Sequence, residues 1–376
     1  MSQISPFQFG RVANPENFIN RTFEISKLSE NFEQGINTIL ISPRRWGKTS
    51  LVFEAARRVK EEREDIIFCF IDLMTVRSEE DFLQKLVKEV VKSSSSAVED
   101  WLKAGKDFFK NLMPVFSVGL DPSNDFSVSL NWAELEKHKD EIINLPQTIA
   151  HKKGKKVVIC IDEFQRIRDY KDGLNLESSL RSYWQHHHEV SYCLYGSQRQ
   201  LMRQIFLTQK RPFYRFGDIM FLNKIDITHW IVFIKDAFQS QQISITDAVA
   251  TSIGELMLCH PYYVQQLAHT VWNKAENEVT AQTVELAILE LIQYNELAYS
   301  TWLNGLSPTQ VNLLKAIADG EKQLTSTRVM NGYRLGTPNN VRKNKQVLED
   351  KDMINFVQAG IELLDPGFAL WFKRLG

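Results

Sequence analysis

Thr38-Ile39-Leu40-Ile41-Ser42-Pro43-Arg44-Arg45-Trp46-Gly47-Lys48-Thr49-Ser50-Leu51 is the stretch that decides the fold. It begins as a short apolar run, turns through a tight polar loop and enters a helical pattern from Thr49 to about Lys60. Strand, loop and helix in that order are the setting of a phosphate-binding loop, whose backbone N–H groups converge on an anion at a helix N-terminus. The helix dipole favours negative charge at the same place. In this reading Lys48 brings positive charge to the β- and γ-phosphates of a nucleotide, and Thr49 offers its hydroxyl to a magnesium ion. Ser42, Pro43, Arg44, Arg45, Trp46, Gly47 and Ser50 form the rest of the cradle. Ser42 stands where the pattern G-x-x-x-x-G-K-[ST] has its first glycine. Serine is small enough to let backbone approach a phosphate but lacks glycine's freedom at positive φ. The alternative is a chance Gly-Lys-Thr at a helix start, and the preceding strand argues against it.

A second stretch gains its meaning from the first. Lys155-Lys156-Val157-Val158-Ile159-Cys160-Ile161-Asp162-Glu163 reads as a buried strand ending in two carboxylates. On the edge of a parallel sheet that carries a phosphate loop, Asp162 can hold a hydrated magnesium through its water shell. Glu163 can orient and deprotonate a water attacking the γ-phosphate. Apolar runs ending in acids are common, so the pair of motifs carries the argument.

At 376 residues the chain is long for one domain, and two or three are expected. Its formal net charge of -1 provides no global field toward nucleic acid or membrane, so such a contact must be a local patch. Cys69, Cys160, Cys193 and Cys259 lack metal-ligand spacing, and three of them sit in apolar, strand-like runs. Met1-Ser2-Gln3-Ile4-Ser5-Pro6-Phe7 has neither a basic nor an apolar leader region, and no run approaches the ~20 apolar residues of a membrane span. The expectation is a cytoplasmic protein that makes no membrane contact.

Around these motifs the chain reads as alternating helices and strands. An amphipathic helix opens in Phe18–Ile25, with Ile25, Leu28 and Phe32 on one face and Gly35 at its end. Arg21 and Glu24, three apart, either pair, or leave Arg21 to face a ligand, or are surface charge. The run Asp65–Asp72 is a buried parallel strand, with Asp72 either on the ligand side of the sheet or a turn or cap residue. Helices follow at 79–92, 97–113 and 133–153, with a hairpin pattern from Pro114 to Asn131. The region of about 93–132 reads as an insertion. Glu177–His188 is expected to be helical, its His186-His187-His188 run a solvated helix end rather than a metal site. The next strand, Glu189–Gly196, ends in Ser197-Gln198, on the same edge as Asp162. Arg215 is a transition-state cation or a structural arginine with equal claim. From Asn223 to Ser300 the pattern is helical with no strand signal. After Gly305 come three helices and a hairpin, Met353–Val357 with Ile361–Leu364, the order of a winged helix-turn-helix.

The ordered set resembles the archaeal-type ATPases of the STAND branch of AAA-related P-loop NTPases. The matching elements are Asn20–Glu24, Ser42–Leu51, Ile161–Gln165, Gly196–Gln198, Pro212–Arg215 and Asp365–Trp371. The resemblance covers nearly the whole chain outside the insertion. It implies an α/β P-loop NTPase core with a parallel sheet of order 5-1-4-3-2, a helical lid domain and a C-terminal winged helix. The corresponding divisions are 1–222, 223–304 and 305–376. By the same resemblance the Arg21 region and Pro261 flank the adenine, Ser197 is the first sensor, and Arg215 is a phosphate sensor or finger.

The function expected is ATP binding with slow, Mg2+-dependent hydrolysis that sets a conformational switch between ATP and ADP states. A protein partner or self-association stays open. The competing reading is an ATP-regulated DNA-binding protein. From Gly305 onward there are 10 Lys+Arg against 7 Asp+Glu, a difference of +3. Arg342, Lys343 and Lys345 cluster on the third helix, a modest patch from which weak DNA binding is expected.

Overall fold

Five short apolar runs become five parallel strands: β1 (Thr38–Ile41), β2 (Ile66–Asp72), β5 (Lys156–Asp162), β6 (Val190–Gly196) and β7 (Asp218–Phe221). They lie in the order β2-β5-β6-β1-β7. Counting only these strands, that is 5-1-4-3-2, as expected. In this computed structural model, residues 4–13, 18–94, 116–120, 126–130, 132–357 and 360–375 are described. All four residues of β1 and all seven of β6 are buried, which is why these segments read as unbroken apolar runs rather than alternating ones. Register sets Ile41 beside Gly196 and Asp72 beside Asp162, so the strand ends share one edge. Between β2 and β5 in sequence, β3 (Phe116–Leu120) and β4 (Phe126–Leu130) pair antiparallel, as the alternating pattern suggested. The helix expected at 97–113 and the turn at 121–125 lie outside the described residues.

By its contacts the chain divides into two units. One comprises residues 21–44 and 48–223, the other 1–20, 45–47 and 224–376. In the first, helix α1 (Thr22–Gln34) buries Ile25, Leu28 and Phe32 and ends at Gly35 in the left-handed conformation. It starts at Thr22 rather than within Phe18–Arg21, because Arg21 has non-helical backbone angles at the N-cap position. Helix α2 (Lys48–Glu62) buries Leu51, Val52, Ala55, Ala56 and Val59 along one face. Asp72 accepts from the N–H of Met74 at 2.8 Å, the turn role expected of it.

Two expectations in this region need correction. The helix expected over Glu177–His188 spans Gly173–Trp184, and the chain turns at Gln185–His188. Its end is fixed from inside. Trp184 stacks on Tyr192 at 3.9 Å. His187 bonds the Tyr192 hydroxyl through Nδ1 at 2.8 Å and Asn144 Oδ1 through Nε2 at 3.0 Å. His187 is therefore a partly buried structural residue, whereas His186 and His188 are exposed.

The second unit is mainly helical, with helices at Ile227–Gln239, Asp247–Leu256, Pro261–Trp272 and Ala281–Asn304. Against the expectation of no strands, Ser244–Ile245 pairs in parallel with Glu278–Val279. Two residues are too few for a period of two to show in sequence. Beyond Ser307, which caps with a reciprocal Gln310 bond, helices Pro308–Ala318, Thr327–Gly332 and Pro338–Asp350 precede the antiparallel pair Ile354–Val357 and Gly360–Leu363. This is the winged-helix order. A last helix, Pro366–Arg374, buries Phe368, Trp371 and Phe372, with Phe368 edge-on to Tyr299 at 5.6 Å. Each such aromatic contributes about 1.5–3 kcal/mol by leaving water, which ties this helix into the unit.

Candidate nucleotide site

The site begins where β1 ends. Its left-handed backbone positions are Arg45 (φ 62°) and Gly47 (φ 83°), and Ser42 is not among them. Serine therefore substitutes for the usual glycine without strain. A Cβ at Gly47 would meet nothing within 4 Å, so glycine there answers to backbone angle and not to room. Helix α2 starts at Lys48 with no acid in its first turn, leaving its N-terminal N–H groups and dipole to favour an anion. Ser50 belongs to that turn. Lys48 is only 6% exposed, and its Nζ donates to the carbonyls of Ser42 (3.2 Å) and Pro43 (2.9 Å). Both acceptors are carbonyls of the loop itself, so the ammonium is held at the loop.

Thr49 Oγ1 donates to Asp162 Oδ2 at 2.7 Å, and Asp162 Oδ1 accepts the N–H of Glu163 at 2.8 Å. Burial pushes the Asp162 carboxyl up to about 6; the charge of Glu163 adds to this, while the Thr49 bond and Lys48 oppose it. A carboxyl disfavoured as an anion, next to a hydroxyl, is stabilised by a hard divalent cation. Among the described residues no three His, Cys, Asp or Glu side chains form a metal cluster of their own.

Glu163 adopts a left-handed φ of 53° just before a 3-10 turn, Phe164–Asp169. Its Oε2 accepts the hydroxyl of Ser197 at 2.9 Å and the N–H of Ser197 at 3.4 Å. Gln165 Nε2 donates to the same oxygen. Ser197 directly follows β6, and parallel pairing with β5 brings it to the edge that carries Asp162. Arg44 Nε also reaches Ser197 Oγ, at 3.5 Å. Gln165 closes the matching run Ile161–Gln165, where the sequence assigns it no role. Its only signal was a polar residue two positions past the acid, next to a buried phenylalanine.

Other expected site residues lie apart from this group. Arg21 is buried, with Nη1 donating to Glu24 Oε1 at 2.9 Å and to the Asn223 carbonyl at 2.7 Å. It therefore pairs with Glu24, while Nη2 is buried with no hydrogen-bond partner among the described residues. Arg215 is exposed at φ 55°, its guanidinium 5.3 Å from the ring of Tyr214. Among the described residues no ion pair or side-chain hydrogen bond draws it to Lys48 or Glu163.

Arg45 and Trp46 group with the second unit. The Arg45 guanidinium lies 4.4 Å from the ring of Tyr262 and donates to the Tyr263 hydroxyl at 3.3 Å. Tyr263 in turn donates to Asp365 Oδ2 at 2.6 Å, and Asp365 caps the last helix through the N–H of Phe368. Trp46 meets His260 edge-on at 5.8 Å. His260 caps the helix that Pro261 opens.

A parallel sheet of this order, a phosphate loop on its first strand and an acid pair on its third define a P-loop NTPase, here followed by a winged helix. Over residues 18–247 the sequence matches the family of ATPase domains found predominantly in Archaea, and the chain belongs to that family. Residues 297–374 match a probable winged helix domain. Among solved structures the chain is similar to a Walker-type ATPase of Pyrococcus abyssi, with TM-score 0.66 and 18% identity over 96% of this chain and 97% of that one. It is also similar to the ORC2 protein of Aeropyrum pernix, solved as ADPNP–ADP complexes, with TM-score 0.58 and 12% identity over 98% of both chains. At these identities the likeness is one of fold. No curated protein matches the sequence.

Proposed function

We propose that this archaeal-type ATPase domain binds ATP with Mg2+, hydrolyses it slowly and uses the bound state as a conformational switch of the STAND kind. The observation that carries the reading is the convergence of Lys48, the Thr49–Asp162 bond and the Ser197–Glu163 bond on the strand-end edge. In this reading Lys48 leaves its carbonyl partners for the terminal phosphates, while Thr49 and Asp162 hold the cation between them. A magnesium ion held there would supply charge neutralisation for the transferred phosphoryl group. Glu163 orients water and takes its proton through Oε1, the oxygen that accepts no hydrogen bond among the described residues. Ser197 holds the other oxygen. Arg215, exposed on its turn, is proposed as the phosphate sensor or finger, and Arg21 and Pro261 as the adenine flank.

The switch role draws support from Arg45. It sits three residues before Lys48 and is engaged by Tyr263, which bonds the cap of the terminal helix. A phosphate that recruits Arg45 competes with that engagement, so nucleotide state biases the helix starts at Pro261 and Pro366. Hydrogen exchange tests this: protection over 261–272 and 366–374 is expected to differ between ATP with Mg2+ and ADP. Equal protection in both states contradicts the switch.

The second reading, an ATP-regulated DNA-binding protein, rests on the winged helix and on Arg342 and Lys343, both exposed on the helix Pro338–Asp350. Fold alone does not carry it. ATP turnover by the pure protein, with and without duplex DNA, separates the readings: turnover indifferent to DNA favours the first.

A further inference from the structure

Gln165 is 1% exposed and sits in the 3-10 turn that follows Glu163. The turn is rigidly seated. Phe164, fully buried, packs against Phe206 at 5.7 Å and Phe213 at 5.4 Å, and the N–H of Arg166 closes on the Glu163 carbonyl at 2.9 Å. The Gln165 amide lies against the side chain of the acid. Nε2 donates to Glu163 Oε2, and Oε1 is buried without a hydrogen-bond partner among the described residues. A Cβ at Gly196 would stand 1.9 Å from that Oε1, so the end of the amide lies against the end of β6. Burying an amide acceptor unpaired opposes folding, and an apolar chain of the same length would sit there at less cost. What the amide does that methionine cannot is donate to Glu163.

We propose that Gln165 is a positioning residue for hydrolysis: with Ser197 it anchors the Glu163 carboxylate by Oε2 and so leaves Oε1 to the attacking water. This rests on the base role proposed for Glu163. The two anchors come from different elements, Gln165 from the same turn as the acid and Ser197 from the neighbouring strand. Together they fix the carboxylate plane on a residue whose own backbone is in the left-handed region. Both anchors meet the carboxylate on Oε2, so the effect is expected on the chemical step and not on binding.

The test is Gln165→Met in the full chain, measured for ATP affinity by calorimetry, for kcat and KM, and for melting temperature. The variant is expected to melt at or above the parent and to keep its affinity and KM. Its kcat is expected to fall about 10–100-fold, the scale of a misplaced catalytic group. Added to Glu163→Gln, the same change is expected to cost less than about 2-fold, because its target is already gone. If Gln165→Met does not fold, Gln165→Asn, which keeps the amide but withdraws it by one methylene, carries the same expectation. A parental kcat in the variant, or an equal loss in the Glu163→Gln background, overturns the proposal while leaving Glu163 as base. Parental turnover in Glu163→Gln alone overturns the base role and this proposal with it.

Discussion

Thr49 Oγ1 and Asp162 Oδ2 stand 2.7 Å apart across 113 positions of sequence. The first follows β1, the second ends β5, and the parallel register through β6 brings both to one edge. A cation held by either is within reach of the other. Asp162→Asn keeps the shape and the bond to Thr49 but removes the charge. It is expected to raise the Mg2+ concentration needed for half-maximal turnover by about 10–100-fold, the usual cost of altering a residue that acts through a metal's ligand shell. An unchanged Mg2+ titration contradicts the assignment.

Lys48 is the cation proposed to meet the terminal phosphates. Lys48→Ala is expected to abolish ATP binding at micromolar nucleotide, as read by calorimetry. Affinity equal to the parent's removes the phosphate-loop assignment.

What the sequence made legible follows from which signals are local. β1 and β5 are apolar runs next to motif residues, so the loop and the acid pair are legible locally, whereas the sheet order follows only from the resemblance to archaeal-type ATPases. Ser197 was placed on the right edge because a parallel sheet dictates it. The partners of Glu163 were not readable, since the Ser197 bond spans 34 positions and the Gln165 bond depends on how the turn after the acid is seated. The Arg45–Tyr263–Asp365 chain was hidden for the same reason, as its members lie far apart in sequence. His187 misled because a run of histidines looks solvated, whereas Trp184 stacking on Tyr192 brings it inward.

That residue carries a prediction about pH. Burial, then the charges of His186 and His188, hold His187 down at about 4. The unfolded chain, with an ordinary histidine near 6.5, binds more protons between those values, so this stabilisation is present above about 6.5 and is lost as pH falls toward 4. From pH 7.5 to 5 the loss amounts to about 2 kcal/mol. His187→Gln keeps hydrogen-bonding groups but does not titrate. Denaturant melts are expected to show a flatter pH dependence in that variant, and an unchanged slope assigns the acid sensitivity elsewhere.

The winged helix invites a claim about DNA, for which its charges offer only a modest patch. Few phosphate contacts are available to Arg342, Lys343 and Lys345, and non-specific binding is expected at or beyond the weak end of about 10⁻⁴–10⁻⁶ M at physiological salt. Fluorescence anisotropy on random duplex DNA across a salt series is the check. Sub-micromolar binding with a steep salt slope, lost in an Arg342/Lys343/Lys345 triple alanine variant, establishes the second reading instead.

The central claim is that Glu163 activates water for ATP hydrolysis. Its most direct test is steady-state turnover of the Glu163→Gln protein beside calorimetry of ATP binding on the same preparation. The amide keeps the shape, so binding is expected to match the parent, while turnover falls by about 10²–10⁴. Hydrolysis at the parental rate would contradict the claim and leave Glu163 as an acid that merely ends a strand.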